Sequence, residues 1–153
     1  MPRDIAGELS GSGRRIAIAA ARFNSHVVEN LIAGAVDTLT RLGVADADIT
    51  VVRCPGAWEV PTVVRRLLRG KYDAVIALGC VIRGETPHFD YVAGESAKGI
   101  ASLGLSSDIP VINGILTTDT TDQAMARAGL KAGNKGADAA MAALEMISLL
   151  GKL

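Results

Sequence analysis

Four short apolar runs alternate with longer segments in which apolar residues recur every three or four positions. Such continuous runs are typical of strands buried on both faces, and the three-to-four spacing is typical of amphipathic helices. The runs predict strands at residues 15–21, 49–52, 74–82 and 111–116. The periodic segments predict helices at residues 25–42, 61–69, 90–103, 121–129 and 135–150. This order indicates an α/β fold, a three-layer α-β-α sandwich around a four-stranded parallel sheet.

Capping residues stand at the ends of several predicted elements. Asn24 and Ser25 offer side-chain oxygens to the start of the first helix, and Gly43 ends that helix. Threonines within residues 117–121 offer caps to the short fourth helix, and Asn134 begins the last one. The caps therefore support the element order that the periodicity predicts.

The composition is that of a globular protein. The chain has 153 residues, 49% of them hydrophobic, and its 16 Lys and Arg balance its 16 Asp and Glu. We expect a single domain over residues 1–153, with residues 1–14 as an N-terminal extension. A zero net charge and 3% aromatic residues disfavour nucleic acid as a partner.

The cysteines and the apolar stretches of the chain indicate the cellular compartment in which the protein is expected. Cys54 and Cys80 are far apart and form no C-x-x-C pair, so neither a disulfide framework nor a structural zinc site has support. The first residues lack an apolar signal core, and the aliphatic stretch at 141–150 is too short to span a bilayer. We expect a cytoplasmic protein without a membrane partner.

Four segments follow the ends of the predicted strands, and in open parallel sheets this edge forms the ligand crevice. They contain both histidines, both phenylalanines and the single tryptophan. This concentration of scarce side chains predicts a ligand site at residues 22–25, 54–59, 83–89 and 117–121.

Within the third segment, Thr86 and His88 suggest two different roles. The Thr86 hydroxyl and the backbone N–H groups of a helix start suit a phosphate, and His88 suits proton transfer near neutral pH. The alternative is a capping loop that carries a surface histidine. The other histidine, His26, fits a solvated or capping position better than a chemical one. Two histidines without a carboxylate at ligand spacing leave little case for a catalytic metal.

Other side chains in these segments leave similar alternatives open. Phe23 fits a ring that stacks on a heterocycle, or one that folds back over the helix start. Glu59, beside Trp58, fits a carboxylate that holds ligand hydroxyls, or an ordinary acidic first-turn residue. Arg127 fits an anion site or a solvated helix position.

Several motifs occur together and in order along the chain. They are R-F-N at 22–24, P-G-A-W-E-V-P at 55–61, G-C-V-I-R-G-E-T-P-H-F-D-Y-V at 79–92, G-I-L-T-T-D-T at 114–120, Q-A-x-x-R-A-G at 123–129 and G-N-K-G at 133–136. With them the chain resembles the lumazine synthase family from residue 15 to residue 150. The resemblance implies a flavodoxin-like sandwich and a metal-free, cofactor-free transferase of riboflavin biosynthesis. The implied reaction condenses 5-amino-6-(D-ribitylamino)uracil with 3,4-dihydroxy-2-butanone 4-phosphate to 6,7-dimethyl-8-ribityllumazine, releasing phosphate and water.

The resemblance also implies a role for each matching residue. His88 is the implied proton-transfer residue. The implied substrate-binding residues are Phe23 against the pyrimidine ring, Ala57, Trp58 and Glu59 along the ribityl chain, Cys80, Val81 and Ile82 at the pyrimidine edge, Glu85, Thr86 and Arg127 at the phosphate, and Asn113 in one wall of the pyrimidine pocket. Many family members carry an aromatic residue where this chain has Asn113. Because a carboxylate repels phosphate, we expect Glu85 to serve through its backbone.

The family builds its sites between neighbouring subunits of a pentamer, and the segment around Asn113 and Arg127 comes from the second chain. The resemblance therefore implies a homopentamer. The compact connection from Gly129 to Gly136 favours the icosahedral shell of twelve pentamers that some members form. Two other functions remain open, a phosphosugar isomerase and a flavin- or lumazine-binding or shell-forming homologue without turnover.

Overall fold

A computed structural model describes residues 1–129 and 133–153 of the chain. Its four strands are β1 (Ile16–Ala21), β2 (Ile49–Cys54), β3 (Ala74–Ile82) and β4 (Val111–Thr118). Its five α-helices are α1 (Ser25–Arg41), α2 (Val60–Leu67), α3 (His88–Leu105), α4 (Thr121–Ala126) and α5 (Lys135–Gly151). Short 3-10 helices at Asp46–Asp48 and Ala57–Glu59 precede β2 and α2.

The strands form one parallel sheet in the order β2-β1-β3-β4. This is the beginning of the flavodoxin-like order, in which the chain steps outward first to one side of β1 and then to the other. The predicted α/β fold with a four-stranded parallel sheet is therefore confirmed. The order makes β1 and β3 the central strands, and their carboxyl ends lie side by side at one edge of the sheet.

Alternate residues of β1 enter two separate cores. Ile16, Ile18 and Ala20 pack in the core that contains buried residues of α1 and α5. Ala17 and Ala19 belong to the second core, together with buried residues of α2 and α3. Because both faces of the sheet are covered, β1 reads in sequence as a continuous apolar run rather than an alternating one.

The predicted boundaries differ from the observed ones at functionally relevant places. The third helix was predicted to begin at Asp90, but α3 begins at His88, so this histidine lies in the first turn of a helix. The fourth helix was predicted to reach Gly129, but α4 ends at Ala126. The 129–136 connection includes residues 130–132, which lie outside the described residues.

Asn134 explains why the G-N-K-G motif begins α5. Its side-chain oxygen accepts from the backbone N of Ala137 at 3.1 Å, and its Nδ2 donates to the carbonyl of Asn30 in α1 at 3.0 Å. A side chain at Gly136 would overlap the Leu31 carbonyl of α1. The motif therefore caps α5 and allows its first turn to lie directly on α1.

The first fourteen residues form neither helix nor strand. They nevertheless contact the body of the protein: the Glu8 N donates to Ser148 Oγ at 2.9 Å, and Lys152 Nζ donates to the Ala6 carbonyl at 2.7 Å. The Gly11 N donates to the Leu42 carbonyl at 2.8 Å.

In the described part of the chain, no helix combines the length and the apolar character that crossing a membrane requires.

Candidate active site

A crevice of about 740 Å³ lies at the carboxyl ends of the strands. This volume suits a ligand of the size of a small heterocycle with a polar chain. It is lined by Phe23, Asn24, Pro55, Gly56, Ala57, Trp58, Glu59, Cys80, Val81, Ile82, Gly84, Thr86, His88, Phe89, Tyr91 and Val92. Three of the four predicted segments thus meet in one site.

The crevice brings together most of the predicted site residues, but three of them do not line it. The exceptions are Glu85, Asn113 and Arg127. Asn113 is exposed on the edge strand β4, where its Oδ1 accepts from the Ile115 N at 3.0 Å. Arg127 is exposed just after α4, and its Nη1 donates to the Gln123 carbonyl at 2.9 Å. The fourth predicted segment, residues 117–121, also lies outside this crevice.

Exposed aromatic rings stand at the mouth of the crevice. The Phe23 side chain is 72% exposed, so its ring extends outward rather than folding back over the start of α1. Trp58 is 55% exposed and Tyr91 is 64% exposed. Large apolar rings usually avoid water, and their concentration in a concave site indicates a surface for a planar ligand.

Asn24 holds the chain that presents Phe23. Among the residues that the structure describes, Asn24 is the one non-glycine residue with a positive φ, which is 62°. Its Nδ2 donates to the Cys80 carbonyl at 2.8 Å. The predicted capping oxygen is therefore wrong for Asn24: its side chain makes no capping bond, and it acts as a donor to β3.

The backbone beside Asn24 shows why β3 needs this donor. Beyond β1, the Arg22 N donates to the Cys54 carbonyl at 2.8 Å and the Phe23 N donates to the Pro55 carbonyl at 3.0 Å, so both bonds run toward β2. The last register pair of β1 with β3 is Ala20 with Leu78. The Asn24 amide thus takes the place of a backbone donor beyond the end of the β1–β3 ladder.

The turn after β2 contributes a carboxylate and a buried thiol. The Glu59 N donates to the Gly56 carbonyl at 3.1 Å, and a Cβ built on Gly56 would lie 3.3 Å from Glu59 Oε1. Burial raises the pKa of the Cys54 thiol, and the nearby Glu59 carboxylate raises it further. The carboxylate therefore lies beside the backbone of this turn, at the crevice wall.

Cys80 lies at the floor of the crevice as a neutral thiol. It is buried, and burial raises its pKa to about 11. A thiol with so high a pKa is protonated at neutral pH and is a poor nucleophile. Cys80 therefore offers the crevice a neutral thiol rather than a nucleophile.

Thr86 and His88 also line the crevice. The Thr86 Oγ1 accepts from the His88 N at 3.4 Å, which leaves the hydroxyl hydrogen free to donate to a ligand. His88 is exposed in the first turn of α3, where the positive end of the helix dipole favours an anion. An imidazole and a helix start that favours anions therefore lie together in the crevice.

Several lining residues were missed by sequence analysis as functional residues. Asn24 was interpreted only as a helix cap. Tyr91 and Val92 lie three and four positions after His88 in α3, so they share its helix face. This spacing would have identified them had the helix been predicted to begin at His88.

In the described residues, no group of three or more His, Cys, Asp or Glu is placed to hold a metal ion.

Comparison with known proteins agrees with this geometry. Residues 13–151 match the family model described as 6,7-dimethyl-8-ribityllumazine synthase. A protein of Desulfatibacillum aliphaticivorans named 6,7-dimethyl-8-ribityllumazine synthase is 55% identical over 150 residues, which cover 97% of this chain and 97% of that protein. The chain therefore belongs to the 6,7-dimethyl-8-ribityllumazine synthase family.

Proposed function

We propose that this chain catalyses the condensation of 5-amino-6-(D-ribitylamino)uracil with 3,4-dihydroxy-2-butanone 4-phosphate to 6,7-dimethyl-8-ribityllumazine. Family membership over nearly the whole chain supports this reaction. The structural observation that carries it is the crevice itself, which is lined by the exposed aromatic rings together with Thr86 and His88. A planar amine and a phosphorylated ketone fit side by side in such a site.

The reaction begins when the amine attacks the ketone and water leaves to form an imine. Loss of phosphate and tautomerisation then give a carbonyl that the ribityl-bearing nitrogen attacks, and loss of a second water closes the ring. In our proposal His88 moves protons in these steps, and Thr86 with the backbone of α3 binds the phosphate. Phe23 covers the pyrimidine, and Glu59 binds ribityl hydroxyls. Holding the two reactants together can by itself lower the barrier by roughly 7–11 kcal/mol.

Incubation of the purified chain with both substrates tests this proposal. We expect a new fluorescent product with the mass of the lumazine, together with stoichiometric inorganic phosphate. Binding of the product without turnover would instead favour the flavin- or lumazine-binding or shell-forming homologue. An isomerised sugar phosphate would favour the phosphosugar isomerase.

We further propose that the complete site needs a second chain. A cation stabilises a bound phosphate dianion, yet Arg127 does not line the crevice of its own chain, and neither does Asn113. Both are exposed and accessible to a neighbour. This arrangement supports a homopentamer whose sites lie between subunits, with a shell of twelve pentamers as its larger form. Sedimentation of the purified chain distinguishes these assemblies.

Subunit mixing tests the shared site directly. Arg127→Ala is expected to raise the KM for the phosphorylated substrate much more than it changes kcat. His88→Ala is expected to lower kcat. If the two residues of one site come from different chains, equal amounts of the two variants can be refolded together. In a random assembly, about one quarter of the sites then contain both an intact His88 and an intact Arg127. Recovery of activity at a low concentration of the phosphorylated substrate supports the shared site, and no recovery contradicts it.

A further inference from the structure

Arg83, which directly follows β3, joins three elements next to the crevice. Its backbone N donates to the Thr118 carbonyl at 2.8 Å, which continues the ladder between β3 and β4. Its Nε donates to Asp119 Oδ1 at 2.8 Å, and its Nη1 donates to Asp90 Oδ1 at 3.5 Å. The guanidinium carbon lies 4.4 Å from the centre of the Phe89 ring. One side chain thus contacts the end of β4 and the first turn of α3.

The segment that Arg83 precedes has little else to hold it. Residues 84–87 are all exposed. Apart from the helix ladder, the hydrogen bonds of this segment within the described residues are those from the His88 N to Thr86 Oγ1 and from the Asp90 N to the Pro87 carbonyl, at 3.4 and 3.0 Å. Pro87, the N-cap residue of α3, has no polar side chain to cap the helix. The position of His88 therefore depends on contacts made by its neighbours.

Phe89 and Asp90, the two residues after His88, are the ones that Arg83 contacts. Phe89 is half-buried and packs on the second core, so one side of its ring faces the protein while the guanidinium lies against the ring. A planar guanidinium can stack on a ring and donate in its own plane at the same time, which an ammonium group cannot do. A guanidinium is charged at neutral pH in any environment, and the hydrogen bond to Asp119 raises the pKa of Arg83 further.

Asp119 is itself held by a second set of hydrogen bonds. Its backbone N donates to Gln123 Oε1 at 2.8 Å. Gln123 also forms a capping box with Thr120 at the start of α4. The partner of Arg83 therefore lies on a well-connected turn rather than on a free loop.

We propose that Arg83 is a positioning residue that holds His88 and Thr86 at the crevice by tying the first turn of α3 to the end of β4. This inference rests on the proposed function, because it assigns Arg83 a part in that reaction. Proton transfer is sensitive to small displacements, and a misplacement of about 1 Å can cost up to about 10²-fold in rate. Arg83 contacts Phe89, Asp90 and Asp119 rather than Phe23, which covers the pyrimidine in our proposal, so we expect loss of Arg83 to affect the chemical step more than ring binding.

Steady-state kinetics of Arg83→Ala, Arg83→Lys and Asp119→Asn in the full-length chain tests the proposal. We expect Arg83→Ala to lower kcat by roughly tenfold while the KM for the pyrimidine changes less than twofold. Arg83→Lys keeps the positive charge but lacks the planar guanidinium with its several in-plane N–H donors. We therefore expect this variant to recover only part of the kcat. Asp119→Asn, which removes the charge of the partner, should lower kcat in the same direction. Arg41→Ala is the matched control, because Arg41 forms an exposed ion pair with Asp37 on α1, away from the crevice.

Two additional readouts separate a positioning role from general damage. The single tryptophan, Trp58, lines the crevice, so quenching of its fluorescence reports binding of the lumazine product. Product affinity should be unchanged in Arg83→Ala, whereas hydrogen exchange in residues 84–91 should increase. A kcat within twofold of wild type, an equal loss of product affinity, or unchanged local exchange would each overturn the proposal. If the wild-type chain does not turn over, the proposed function fails, and hydrogen exchange alone decides whether Arg83 holds this segment.

Discussion

Replacement of Asn24 tests how the chain presents Phe23 to the crevice. In Asn24→Gly the positive φ remains accessible, but the donor to the Cys80 carbonyl is lost. An unpaired, partly buried carbonyl costs about 1–3 kcal/mol. In Asn24→Ala the same donor is lost, and the left-handed conformation costs about 1–2 kcal/mol more. Glycine loses roughly 0.5–1 kcal/mol through its greater freedom in the unfolded chain, so the alanine variant should be the less stable by up to about 1.5 kcal/mol.

Urea denaturation, followed by circular dichroism at one fixed subunit concentration, measures these differences. The matched control is Asn30→Ala: Asn30 lies exposed on α1, and its amide contacts only the His26 carbonyl of its own helix, at 3.3 Å, among the described residues. That change should alter the free energy of unfolding by less than about 0.5 kcal/mol. Both Asn24 variants should also bind the lumazine product more weakly, because Phe23 is no longer fixed. The reasoning is refuted if Asn24→Ala is as stable as the control and binds product as tightly as wild type.

Three further predictions follow from the site and the fold. His88→Ala should lower kcat by roughly 10²-fold or less, because substrate positioning survives; complete loss of activity in a folded variant would contradict this division of roles. The pKa of Cys80 is raised to about 11, so its contribution to stability is present below the pKa of the unfolded thiol and is lost as the pH rises toward 11. Urea titrations at pH 8 and 10.5 should therefore show a smaller alkaline loss in Cys80→Ala, and an identical loss would exclude this assignment. Gly136→Ala should cost about 1–3 kcal/mol because its Cβ overlaps the Leu31 carbonyl, whereas the control Gly104→Ala meets Val111 at an ordinary 3.7 Å; equal stabilities would contradict the close approach of α5 to α1.

The sequence predicts the fold well because the sheet is buried on both faces. The continuous apolar run 74–82 predicts β3 to the residue, and the run at 15–21 predicts β1 to within one. Helix ends are less well predicted. Periodicity alone places the start of α3 at Asp90, but Pro87 is compatible with a helix that begins immediately after it, and the Thr86 hydroxyl accepts from the first helical N–H. Two residues of difference decide whether His88 belongs to a loop or to a helix.

The parts of the site that the sequence does not predict depend on contacts between distant segments. Asn24 looks like a cap because Asn is common at helix starts, but its partner is a carbonyl 56 positions away. Arg83 directly follows a predicted strand, and only the structure shows that it joins Asp119 to the first turn of α3. Asn113 and Arg127 are exposed in the single chain, and the site roles that we propose for them depend on a neighbouring molecule.

A crystal structure with the lumazine product bound tests the central claim most directly. The account predicts the bicyclic ring against Phe23, the ribityl chain along Trp58 and Glu59, and His88 within hydrogen-bond reach of the newly closed ring. An Arg127 guanidinium from an adjacent chain should complete the phosphate end. Product bound outside this crevice, with the space between Phe23 and His88 filled only by water, would contradict the account.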